Sequence, residues 1–165
     1  MEEQISKFLN EEQSYRFVNR MSLNQMFKDD PERDHLISIE YIYDLDDLDD
    51  SDELGCLQAI VLNFERQSFT VKAVPEDDTI KIVPGKIKPN SEQKLIPVSE
   101  DEPWSTAIGS FIRWSWALIN DQGYPDAIQF EFAKEQEDRS TSSITIQLVT
   151  IASSISIYEL NEIEC

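Results

Sequence analysis

One histidine, two cysteines and four glycines are spread over 165 residues, and each scarcity removes a kind of chemistry. With His35 alone, the order of residues supports no Ser-His-Asp or Cys-His arrangement, and a lone histidine beside an acidic run reads as a surface residue. Cys56 has no histidine near it and Cys165 is the last residue. The pair makes neither a disulfide framework nor a zinc site; Cys56 reads as a small buried hydrophobe and Cys165 as a terminal thiol. Four glycines leave no Gly-rich loop to cradle a phosphate. No apolar run approaches a membrane span, and MEEQISKFLN lacks a signal-peptide pattern, so the expectation is a soluble, cytoplasmic protein.

Positive charge is also scarce. Lys and Arg number 14 against 33 Asp and Glu, a net charge of −19. Between residues 29 and 53 there are twelve acidic residues and one basic, Arg33, so −11 comes from that short segment. Such a surface disfavours nucleic acid and anionic membranes and is compatible with a basic protein partner, with a cation, or with solubility alone. The densest part, DLDDLDDSDEL from Asp44, repels itself and reads as a solvated hairpin loop. It lacks the Asp/Asn and Gly framework of a calcium loop, and no metal or cofactor is expected there.

What is present is alternation. A length of 165 residues suits one domain with a real core. Residues 1–30 read as helical, with Ile5, Phe8, Leu9, Tyr15 and Val18 at helical spacing and a Ser22/Gln25 capping box before Leu23, Met26 and Phe27. Pro31 stops that segment. A first β meander over 36–83 holds four short strands with charged turns, the first placing Ile37, Ile39, Tyr41 and Tyr43 on its core face. Residues 84–98, with three prolines and three lysines, read as a partly extended connection. Ser99 with Glu100, Asp101 and Glu102 predicts the start of a short helix over 99–109, ending at Gly109.

The second meander, 110–160, opens with FIRWSWALINDQGYPDAIQFEF, Phe111 to Phe132, around which the rest of the chain is organised. Period two on both sides of a polar, Gly- and Pro-containing tip reads as an antiparallel hairpin. Strict alternation puts Ile112, Trp114, Trp116 and Leu118 together on an apolar face suited to a core. Gly123 would supply a positive φ at the tip. The two halves share an order of strand, Asn-containing turn, strand, acidic turn and strand, with the segment from Leu62 aligned on that from Ile119, a weak sign of internal duplication. The fold class is therefore α+β and β-dominated: about eight antiparallel strands in two meanders, forming a sandwich or strongly bent sheet, with N-terminal helices and one short central helix.

The pattern IG-x-x-I-x-W-x-W-x-L-x-N-x-QGY-x-DA-x-QFEF, from Ile108 to Phe132, resembles an uncharacterised bacterial family, mainly cyanobacterial. The similarity extends to YIYD at Tyr41, DDTIKI at Asp77 and ASS at Ala152. It implies a compact domain of unknown function and carries over no activity, cofactor or catalytic residue.

Two candidate sites remain. At the hairpin tip, Asn120, Gln122, Tyr124 and Asp126 offer amide, phenol and carboxylate groups beside Trp116, a mixture suited to ligand recognition, with Arg113 facing Glu131 or open to an anion. The bland alternative is a turn whose polar residues bond one another. On the acidic segment, Asp44, Asp46, Asp47, Asp49 and Asp50 would meet a basic protein. The leading expectation is a small protein-binding module, immunity-like or regulatory. The alternatives are a small-molecule site or enzyme at the tip, with no catalytic residue assigned, and a structural homo-oligomer joined through sheet edges. Oligomeric state is left open.

Overall fold

A computed structural model describes residues 34–45, 54–134 and 144–160. The expected N-terminal helices, Asp46, Asp47, Asp49, Asp50 and Cys165 lie outside the described residues. Two antiparallel sheets carry nearly everything else. The first has the order β4-β3-β2-β1-β5, built from β1 (Leu36–Leu45), β2 (Leu54–Phe64), β3 (Ser68–Val74), β4 (Thr79–Pro84) and β5 (Gln93–Pro97). The second has the order β6-β7-β8-β9, from β6 (Phe111–Ile119), β7 (Pro125–Ala133), β8 (Ile144–Ile151) and β9 (Ser154–Leu160). Each sheet thus contains a four-strand meander, the arrangement that alternating runs and polar turns favour. In sequence order β6 corresponds to β1. The aligned segments from Leu62 and Ile119 set β2 against β6 instead, one strand out of step with the topology.

The sheets meet over one core. Phe69 on β3 lies 5.9 Å from Phe130 on β7, centroid to centroid, and stacks on Phe64 at 5.5 Å. Helix α1 is a single turn, Trp104–Ala107, shorter than the expected 99–109. Ser99 does not cap it: its hydroxyl accepts the Ile39 N–H at 2.9 Å, tying this segment to β1. Trp104 is fully buried and lies edge-on to Phe132 at 6.3 Å. Its indole N–H donates to the Tyr41 hydroxyl oxygen, which gives the buried N–H its acceptor inside the core. Gly109 takes φ +80°, and its N–H donates to Leu36 O, joining the start of β6 to the start of β1.

Two of the β-bulges, near the starts of β1 and β6, decide which side chains of those strands enter the core. Between Leu36/Phe64 and Ser38/Asn63, β1 advances two residues while β2 advances one, so Ile37 is the extra residue. Between Ile112/Phe132 and Trp114/Glu131, β6 does the same at Arg113. An extra residue exchanges the faces of everything beyond it. Leu36 accordingly replaces Ile37 in the core; Ile37 is exposed, while Ile39, Tyr41 and Tyr43 face inward as expected. On β6, Ile112 is buried, but the inward positions after it are Ser115 and Ala117, opposite Phe130 and Ile128. Trp114 and Trp116 point outward. The expected Trp core face is therefore corrected by the bulge.

The connection over 84–98 also holds more order than its composition suggests. It leaves β4 at one edge of the first sheet and reaches the other edge as β5, a ninth strand, paired with β1. Between them it crosses the outer face. Thr70 donates its hydroxyl to Gly85 O at 2.9 Å, Lys86 reaches Glu40, and Ile87 and Leu95 cover Ile42, Ala59 and Val61. Cys56 is exposed rather than buried, because it lies near the Leu45–Leu54 end of the β1–β2 pair, before the part of β2 that enters the core.

Candidate functional site

The hairpin tip forms its turn from its own polar groups. The Asn120 side-chain oxygen accepts the N–H groups of Gln122 and Tyr124, both at 3.0 Å, while its amide donates to Asp126 at 3.3 Å. Gly123 takes φ +87°, and its N–H donates to Asn120 O. Asn and Asp at turns bond nearby backbone in this way because their short side chains reach it without strain. Asn120 and Asp126 are thus engaged in shaping the loop, whereas Gln122 and Tyr124 are exposed.

Arg113 is not brought to this tip. It sits about 20 Å along the strand, at a rise of ~3.3 Å per residue, and pairs with Glu131 at 2.7 Å. Both side chains are largely shielded from solvent, so the pair is a neutral feature of the sheet. Trp116 lies on the outer face opposite Gln129, three paired positions from Pro125 at the tip end of β7.

Of the acidic segment, Asp44 is the penultimate residue of β1 and accepts a 3.0 Å hydrogen bond from the Gln93 amide on β5. Other carboxylates have structural partners. Asp34 is buried and accepts the Arg66 N–H at 3.0 Å; burial pushes its pKa up, opposed by that bond and by the Arg66 charge. Glu40 is also desolvated, which alone would raise its pKa. Hydrogen bonds from Lys86 and Asn63 outweigh this and hold it below the usual carboxylate range. His35 lies 3.6 Å from Glu65 at the surface. Among the described residues no three His, Cys, Asp or Glu side chains are grouped to hold a metal ion.

The feature that sequence reasoning missed is the outer face of the second sheet. Strand register places Trp116, Gln129, Gln147 and Tyr158 in one row across β6, β7, β8 and β9. The next row is Trp114, Glu131, Thr145 and Leu160. Trp114 is 49% exposed, Trp116 40%, Tyr158 46% and Leu160 38%. Large apolar side chains concentrated on one sheet face mark a contact surface more often than scattered ones do. The first sheet hides its corresponding face beneath residues 85–95. Only the bulge at Arg113 turns the tryptophans outward, and strict alternation carries no sign of it.

No curated protein and no solved structure matches the chain. Among the described residues, no helix is long and apolar enough to cross a membrane. A family model does match, over residues 21–164, nearly the whole chain, including both sheets and the Trp-bearing hairpin. The chain therefore belongs to DUF6334, a family of unknown function.

Proposed function

We propose that this chain is a small binding module for a basic protein, steered by its acidic segment, and acts by recognition rather than by covalent chemistry. The observation that carries the reading is charge: twelve acidic residues and one basic lie between residues 29 and 53, in a chain of net charge −19. Concentrated charge of one sign raises the encounter rate with an oppositely charged surface and repels like-charged ones. Asp44, Asp46, Asp47, Asp49 and Asp50 are the residues assigned to that encounter, in a cytoplasmic, bacterial setting.

The test is retention of proteins on the immobilised chain, followed by association rates for those retained. Basic proteins should be retained at about 0.05 M salt and released near 0.5 M, where the Debye length shrinks severalfold. Asn at the five aspartates should slow association about tenfold or more at low salt. Identical rates and salt response for variant and wild type would sink the proposal.

A second reading places a small-molecule site at the tip. It is favoured by exposed Gln122 and Tyr124 at the end of the hairpin that carries Trp116. A ligand of this site would raise the melting temperature by mass action. Tyr124→Ala should abolish that shift while leaving the unliganded melting temperature unchanged. Asn120→Ala cannot serve as the control, because it removes the turn itself.

A further inference from the structure

We propose that the outer face of the second sheet is an interface between two copies of this chain, packed face to face about a two-fold axis running along the strands. Three observations favour a second copy as the occupant. The first is charge. In a chain of net charge −19, the two central rows of this face have no net charge, because Glu131 is neutralised by Arg113. Two such molecules approach with least repulsion through a neutral face.

The second is self-complementarity. A two-fold axis between β7 and β8 exchanges β6 with β9 and β7 with β8. Trp116 of one copy then lies over Tyr158 of the other, Trp114 over Leu160, and Gln129 over Gln147. Each contact occurs twice, as a two-fold interface requires. Two aromatic anchors flank a pair of amides that can both donate and accept, the composition found at the centre of protein contacts. The third is the contrast between the sheets: the first covers its outer face with its own chain, whereas large aromatic groups stay exposed on the second.

Size sets the strength. Four strands spaced ~4.8 Å apart and roughly 25 Å long present about 500 Å² per copy, against about 800 Å² per partner in a standard interface. The dimer is therefore weak and concentration-dependent, with a dissociation constant on the order of micromolar or above. Dimerisation should strengthen with salt, which screens repulsion between two acidic chains. Capture of a basic partner should weaken with salt, so failure of one proposal is distinguishable from failure of the other.

The experiment is sedimentation equilibrium of the full chain over a wide concentration range, at low and high salt, with a thermal melt of each variant. The wild type should pass from monomer to dimer. Trp116→Lys alone and Tyr158→Glu alone should each remain monomeric, with a melting temperature near that of the wild type in dilute solution. A mixture of the two should form a heterodimer, since it restores one native contact and makes one Lys–Glu contact. Monomer at every concentration for the wild type would overturn the proposal. So would a dimer that both substitutions leave intact, which would place the interface elsewhere. Should either variant unfold, Gln147→Glu, which sets a carboxylate over Gln129 of the other copy, should weaken the dimer about tenfold or more; an unchanged constant would overturn the geometry.

Discussion

The carboxylate of Asp78, in the turn between β3 and β4, accepts a 2.7 Å hydrogen bond from the backbone N–H of Ser153, in the turn between β8 and β9. The contact joins the two sheets across 75 residues of chain. It is supported by Gln58, which donates to Ser153 O at 2.9 Å, and by Thr150, which donates to Thr79 O at 3.3 Å. Among the described residues, all three non-glycine residues with positive φ belong to this junction: Asp78 at 56°, Ala152 at 50° and Ser153 at 64°. DDTIKI and ASS, two of the short motifs that carry the family resemblance, thus meet in space as a structural clasp. Asp78→Ala should destabilise by about 1–2 kcal/mol, from a lost charge-assisted hydrogen bond and a left-handed conformation that alanine disfavours. At ~2–4 °C per kcal/mol for a chain of this size, thermal melting should show a drop of several degrees. Asp78→Asn keeps an acceptor and tolerates positive φ, and should lose less.

The buried Trp104–Tyr41 pair makes stability depend on alkaline pH. Burial pushes the Tyr41 hydroxyl up to about 12, from 10.0, in spite of the hydrogen bond from Trp104. The folded pKa is raised, so the contribution is fully present below pH 10 and is lost as the unfolded chain ionises between about 10 and 12. That rise corresponds to at most about 3 kcal/mol, less whatever solvent screening removes. Denaturant titrations across that range should show a steep fall, and Tyr41→Phe should flatten it. At neutral pH the same variant should cost about 1–3 kcal/mol, because the indole N–H is left without its acceptor.

Glu40 acts in the opposite direction. Its folded pKa is depressed, so the stability it contributes is present above the ordinary carboxylate pKa and is lost as pH falls through the folded value. Lys86→Ala should cost at most about 1 kcal/mol at pH 7, since the lysine end of the pair is half-exposed. The difference between variant and wild type should vanish in acid, as urea midpoints at several pH values would show.

The three tryptophans should separate cleanly. Trp114→Ala and Trp116→Ala should each change stability by less than about 1 kcal/mol, as exposed positions do, whereas Trp104→Ala should cost about 3–5 kcal/mol. In dilute solution a neutral quencher should reach Trp114 and Trp116 and spare Trp104. Fluorescence that resists quenching in the Trp104→Phe variant would show that the outward orientation is wrong.

Much of the architecture was written in local pattern. Period two, interrupted by charged or Gly-containing turns, marked eight strands and both meanders, and the polar tip at 120–126 followed from Asn120, Gly123 and Pro125. Alternation is a property of neighbouring residues, so a single chain displays it. The faces were a different matter. Whether Ile37 or Leu36 enters the core, and whether Trp114 points inward or outward, depends on one extra residue opposite β2 or β7. That choice arises only when strands pair. β5 was hidden because Leu95 and Ile96 between polar neighbours become a strand only beside β1. The clasp between Asp78 and Ser153 could not be read at all, since nothing local links two turns 75 residues apart. The sequence by itself determined an acidic, strand-rich chain with two meanders, because composition and period are local. Tertiary structure decided which sheet face is covered by residues 85–95 and which leaves its aromatic groups to solvent, because burial is settled only by what packs on top.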